Sequence, residues 1–127
     1  MPKDLSGGMQ KRVGIARTIV TQPEVLLYDS PTDGLDPPNA HRISDLIVEL
    51  GNKLGVTSVI VSHDLRTVFT VCNRVGYLQD GRLMETAPPA SLVASSHVEV
   101  RDFVTAHPPE EPFDPLQSEP PETWKKG

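Results

Sequence analysis

The sequence predicts an α/β fold of parallel strands with packed helices, and three stretches predict it. Val25–Tyr28 (VLLY) is an uninterrupted apolar run closed by Asp29 and then by the turn residues Pro31, Gly34 and Pro37. A run of that kind reads as a strand buried on both faces, as in a parallel sheet. Val56–Val61 is a second such run, rich in β-branched residues and ending in Ser62-His63-Asp64. Between them, a helix capped by Asn39 and running to about Leu54 places Ile43, Leu46, Ile47, Leu50 and Leu54 on one stripe. Gly55 is its expected left-handed stop. Strand, crossover helix and strand is the order that yields a parallel pair.

The flanking elements follow from the same periodicities. Lys3–Gly8 (KDLSGG) is a polar, glycine-containing lead-in to a helix over Met9–Val20, in which Val13, Ala16, Ile19 and Val20 recur at helical spacing. Pro23 closes it. After the second strand come a short helix over Leu65–Cys72 and a strand over Val75–Leu78. Asp80-Gly81 is a strong hairpin signal joining that strand to Arg82–Glu85. Pro88-Pro89 opens a weaker helical patch at Ala90–Ala94, and a second patch over His97–Ala106 sets Val100, Phe103 and Val104 on one side. From His107 onward the chain is acidic and rich in proline, so residues 107–127 read as a disordered tail in which Trp124 is a lone aromatic.

Composition narrows the function. The 127 residues carry a formal charge of −5, which provides no electrostatic footprint for nucleic acid. No apolar run approaches the ~20 residues a membrane span needs. The first residues also lack the basic-then-apolar pattern of a secretion signal. Cys72 is the single cysteine, which excludes an internal disulfide and fits a reducing compartment. Its apolar surroundings mark it as a buried bystander.

Two stretches carry chemistry. A carboxylate at the carboxyl end of a parallel strand stands where open α/β sheets bind ligands, so Asp29 either holds Mg²⁺ beside phosphates or is a solvated turn residue. Ser6, Gly7 and Gly8 precede a helix whose first amides and dipole favour anions. That pattern serves either a phosphate contact or an ordinary serine-glycine cap.

Taken in order, LSGGMQKRV at Leu5–Val13, LLYDSPTDGLDP at Leu26–Pro37 and SHD at Ser62–Asp64 resemble the second half of the nucleotide-binding domain of ABC transporters. The resemblance covers roughly residues 3–106. Within that family the pattern looks most like the ATPase subunits of bacterial phospholipid-trafficking, solvent-tolerance importers. It implies a partial P-loop NTPase fold that lacks the phosphate-loop strand and ends in a β-hairpin and tail.

The resemblance also implies roles for individual residues. Ser6, Gly7, Gly8 and Gln10 belong to the signature loop, which contacts the γ-phosphate of ATP held by a second ATPase subunit across a dimer. Asp29 matches the Walker B aspartate that orients Mg²⁺ through water. Asp36 matches the D-loop residue at the dimer interface, and His63 the switch histidine that senses the γ-phosphate. Further implied partners are a membrane permease and no nucleic acid, with the subunit cytoplasmic and peripheral to the inner face of the cell membrane.

Departures from the pattern qualify those roles. Ser30 stands where the family has the glutamate that polarises the attacking water, a contribution worth about 10²–10⁴ in rate. Asp33, three residues on, belongs to the following turn. No G-x-x-x-x-G-K-[ST] loop occurs in the 127 residues, so no lysine and backbone nest cradles the β- and γ-phosphates. The resemblance thus implies a truncated ATP-binding subunit that hydrolyses little or no ATP alone, with another chain supplying the phosphate-loop half. The alternative is a non-catalytic remnant or interaction module. Without the phosphate-loop strand the sheet has unpaired edges, and the chain alone is expected to be unstable or to associate.

Overall fold

The structure is a computed structural model that describes residues 6–106. Lys3, Asp4 and Leu5 of the lead-in, and the whole 107–127 tail with Trp124, lie outside the described residues. The described residues form two compact units divided after Thr67.

In the first unit, α1 (Gly7–Ile19) leads to β1 (Val25–Asp29), α2 (Pro37–Leu54) and β2 (Thr57–Val61). β1 and β2 pair in parallel with Val25 opposite Thr57 and Asp29 opposite Val61. α2 is the crossover and carries the core: Ile43 and Ile47 are fully buried, and Leu46 and Leu50 are half-buried. Its stop is the one expected, with Gly55 at φ 64° donating its amide to Gly51 O. Its start differs. The helix begins at Pro37 with Asp36 in the capping position, and the Asn39 side chain instead donates to Asp36 Oδ1 at 2.6 Å. Pro37 and Pro38 explain the shift, because fixed φ and a missing N–H suit the first helical positions.

Two further expectations are corrected here. β1 is not buried on both faces: Leu26 and Tyr28 are buried, whereas Val25 and Leu27 are exposed, Leu27 by 77%. On β2, Val59 and Val61 are exposed on the same side as Leu27, since Leu27 pairs with Val59 and Asp29 with Val61. Among the described residues β1 pairs only with β2, and nothing covers this apolar face. α1 runs Gly7–Ile19 rather than Met9–Val20, and its apolar set is not a core stripe. Val13, Ala16 and Val20 are exposed, and Gly8 is the buried residue of the helix.

α3 (Leu65–Val71) begins in the first unit and leads the chain into the second, which contains β3 (Val75–Gln79), β4 (Arg82–Ala87), α4 (Pro89–Leu92) and α5 (Val98–Ala106). β3 and β4 form the expected antiparallel hairpin. Its turn has Asp80 at φ 48° and Gly81 at φ 72°, the positive pair that a two-residue hairpin loop requires. On α5, Val100 and Val104 are buried, and Phe103 stacks obliquely on Tyr77 with ring centroids 5.5 Å apart. Burial pushes the Cys72 thiol up from its ordinary value, in keeping with an unreactive cysteine.

Candidate nucleotide-facing site

Because β1 and β2 are parallel and in register, their carboxyl ends emerge side by side. The chain leaves β1 through Ser30, whose N–H still bonds Val61 O at 2.7 Å and whose φ of 45° lies in the left-handed region. It leaves β2 through Ser62 and His63. Ser30 and His63 therefore line one cleft of about 210 Å³. Asp33 lines it too. Its amide closes a turn onto Ser30 O, and its carboxylate lies 4.0 Å from His63 Nε2 with both side chains exposed. Asp33 is thus a turn residue, as expected, yet it faces the candidate site.

Asp29 takes a weak contact from Ser30 Oγ, which donates to Oδ1 at 3.4 Å. Asp29 also lines a larger cleft of about 480 Å³ together with Gly7, Gln10 and Lys11 of α1. Lys11 Nζ donates to Ser30 O at 3.3 Å and ties α1 to the end of β1. Ser6 caps α1 by accepting from Met9 N at 3.3 Å. Close packing also favours glycine at this helix start. A Cβ on Gly8 would stand 3.2 Å from Asn39 Oδ1, and one on Gly7 would stand 3.3 Å from Leu35 Cδ2. Both glycines thus let α1 approach the chain around the start of α2, beside any role toward an anion. Asp36 is exposed there, and the Asn39 amide holds its carboxyl below the usual range.

The structure accordingly gathers Asp29, Ser30 and His63 at adjacent strand ends, with Gly7 and Gln10 around the Asp29 cleft. Ser6 and Gly8 share the start of α1, and Asp36 stands at the start of α2. Sequence reasoning passed over a buried cluster beneath His63. Thr67 Oγ1 donates to Asp64 Oδ2 at 2.6 Å, Thr32 Oγ1 lies 3.1 Å from both, and Arg66 N donates to Asp64 Oδ1 at 3.0 Å. Asp64 just ahead of the Leu65 helix carried a capping signal that was readable. The Thr32 contact had no local signal at all.

Hard carboxylate and hydroxyl oxygens at Asp29 and Ser30 suit Mg²⁺, which keeps most of its waters and binds phosphates alongside one or two carboxylates. Among the described residues no group of three or more His, Cys, Asp or Glu side chains is placed to hold a metal by itself. The donor set fits an ion carried mainly by phosphate and water.

A model of the ABC transporter family matches residues 1–33. The structure is similar to cbiO1 from Clostridium perfringens, part of the ABC transporter complex cbiONQ. The TM-score is 0.68 at 38% identity, over 84% of this chain and 41% of that one. It is also similar to a dimeric ATP-binding cassette in a post-hydrolysis state bound to ADP and Pi. There the TM-score is 0.60 at 36% identity, over 69% of this chain and 38% of the other. The fold is that of part of an ABC transporter ATPase domain.

Curated relatives agree. The methionine import ATP-binding protein MetN of Carboxydothermus hydrogenoformans is 45% identical over 84 residues, 66% of this chain and 25% of that protein. MetN of Xanthomonas oryzae pv. oryzae is 39% identical over 105 residues, 82% of this chain and 31% of its own length. The chain therefore spans about a quarter to a third of the length of these curated relatives. The names of these relatives refer to methionine import, so they lend no support to the narrower expectation of a lipid or solvent importer.

Proposed function

We propose that this chain provides the γ-phosphate-facing part of an ATP site in an ABC transporter ATPase, completed by a phosphate-loop segment that the 127 residues do not contain. The observation that carries this reading is the parallel register of β1 and β2, which brings the strand end bearing Asp29 beside the one leading to His63, with Ser30 and His63 lining one cleft. In the proposed site Asp29 would hold Mg²⁺, and the ion would shield phosphate charge. His63 donates to the γ-phosphate, and the α1 amides at Gly7 and Gly8 with Ser6 and Gln10 face a nucleotide on a second ATPase subunit. Asp36 lies toward that subunit. Ser30 offers a neutral hydroxyl where a carboxylate would accept a proton, so turnover is slow even when the site is complete.

The described residues include no helix long and apolar enough to cross a membrane. We place the subunit at the cytoplasmic face of the membrane against a permease, by its family. Methionine is the cargo that the relatives' names favour over lipid. Ser30 also favours a second reading, a remnant or interaction module that closes the dimer without hydrolysis.

Calorimetry with MgATP distinguishes these readings. The chain alone should give no signal at micromolar nucleotide. Co-expression with the phosphate-loop half of a MetN relative should restore binding and retain this chain on purification. Binding by the chain alone would overturn the assignment of its clefts to one side of a shared site. Failure of any such half to restore binding leaves the remnant reading.

A further inference from the structure

We infer that Thr32, Asp64 and Thr67 form a clasp that locks the turn after β1 to the turn after β2, so that Ser30, Asp36 and His63 are positioned as one body. The inference rests on the reading of these turns as the nucleotide-facing site. His63 itself is exposed, and the Asp33 carboxylate approaches its Nε2 to 4.0 Å. Its place is therefore set by its neighbours in the chain. Ser62 Oγ accepts from Asp64 N at 3.0 Å, and Asp64 is held in turn by the two threonine hydroxyls and by Arg66 N.

The proton count defines the link. Three oxygens, Thr32 Oγ1, Thr67 Oγ1 and Asp64 Oδ2, make three contacts but share two hydroxyl protons. The 2.6 Å separation assigns the Thr67 proton to Asp64. The Thr32 proton then goes either to Asp64 or to Thr67, each at 3.1 Å, and both acceptors lie beyond β2, Asp64 in its turn and Thr67 in the first turn of α3. Either choice ties the first turn to the second. Thr32 is 5% exposed and Thr67 2%, so water competes poorly for these bonds.

Thr32 also reaches forward. Its carbonyl accepts from Leu35 N at 3.2 Å, one residue before Asp36. One buried residue thus joins the turn holding Ser30, the approach to Asp36 and the segment carrying His63, the first two through its backbone and the last through its hydroxyl. The three are positioning residues, since they act through these neighbours.

Hydrogen exchange by mass spectrometry on the full chain at low micromolar concentration tests the clasp without requiring activity. Thr32→Val keeps the shape and removes the proton. It should speed exchange about tenfold in residues 30–36 and in residues 62–66 together, the size of one lost bond to a charged acceptor. Protection in β1 and β2 should remain, and Thr32→Ser should restore both turns. Asp64→Asn is the second variant and should also loosen both turns. Loosening confined to the segment that bears the substitution overturns the clasp, as does a serine variant no better than valine. Failure of the nucleotide reading would appear instead in the calorimetry, with the exchange pattern intact.

Discussion

At Ser30 the backbone limits what a substitution can achieve. Its φ of 45° belongs to a region where a side chain costs of order 1–3 kcal/mol, and the amide is fixed on Val61 O. Serine and glutamate bear that cost alike, so Ser30→Glu changes the chemistry with little further strain. In the assembly completed by a phosphate-loop half, we expect Ser30→Glu to raise phosphate release by about 10²–10⁴. An unchanged rate would show that something other than the missing base limits turnover.

Asp64 supplies the second prediction at this scale. Partial burial raises its carboxyl, but bonds from the Thr67 and Thr32 hydroxyls and the Thr67 and Arg66 amides outweigh that and hold it below the usual carboxylate range. A carboxyl with a depressed folded-state pKa contributes stability that is fully present above its unfolded pKa and lost as pH falls through the folded one. The first unit should therefore weaken as pH drops below roughly 4. Asp64→Asn should flatten that acid limb, read as thermal midpoint against pH. An identical acid limb in the variant would assign the effect to other carboxylates.

At the scale of elements, local signals were legible and non-local ones were not. The end of β1 at Asp29, the α2 stripe from Ile43 to Leu50 and the Asp80-Gly81 hairpin each depend on residues a few positions apart, and each agrees with the structure, whereas Leu54 at the end of the stripe is exposed. The exposed side of β1 was not, because an apolar run records which residues suit a buried face and not whether anything covers it. Nor was the Thr32 link to Asp64, which exists only once the strands pair. Asp33 was placed in its turn but not in the cleft for the same reason. The site residues matched by motif were named from sequence, and the residues that hold them in place came from the structure.

The stop of α2 illustrates a local signal with a testable size. Gly55 sits at φ 64°, and no atom within 4 Å would meet an added Cβ. Gly55→Ala should therefore cost about 1 kcal/mol through backbone strain alone. Faster exchange or proteolysis confined to residues 51–56 would register it. No change there would mean that the helix end can unwind without loss.

For the whole chain, the decisive feature is the open face of the two-stranded parallel sheet. Val25, Leu27, Val59 and Val61 stand on it uncovered, and each strand has a free edge among the described residues. Fully burying a valine or leucine yields about 1.5–3 kcal/mol, so these side chains together offer several. Association costs at least about 4 kcal/mol in lost freedom, which leaves a weak net attraction. Strand edges add backbone pairing to it. The isolated chain should therefore sediment as a monomer at low micromolar concentration and associate at tens of micromolar. Leu27→Lys puts a charge in the middle of the face at a position already 77% exposed, so it should suppress association without altering helix content. A phosphate-loop half that restores nucleotide binding should suppress it as well, if it covers the same face. A wild-type chain that stays monomeric at high concentration, with a cooperative thermal transition, would show that the face is tolerated and that the fold does not depend on a partner to cover it.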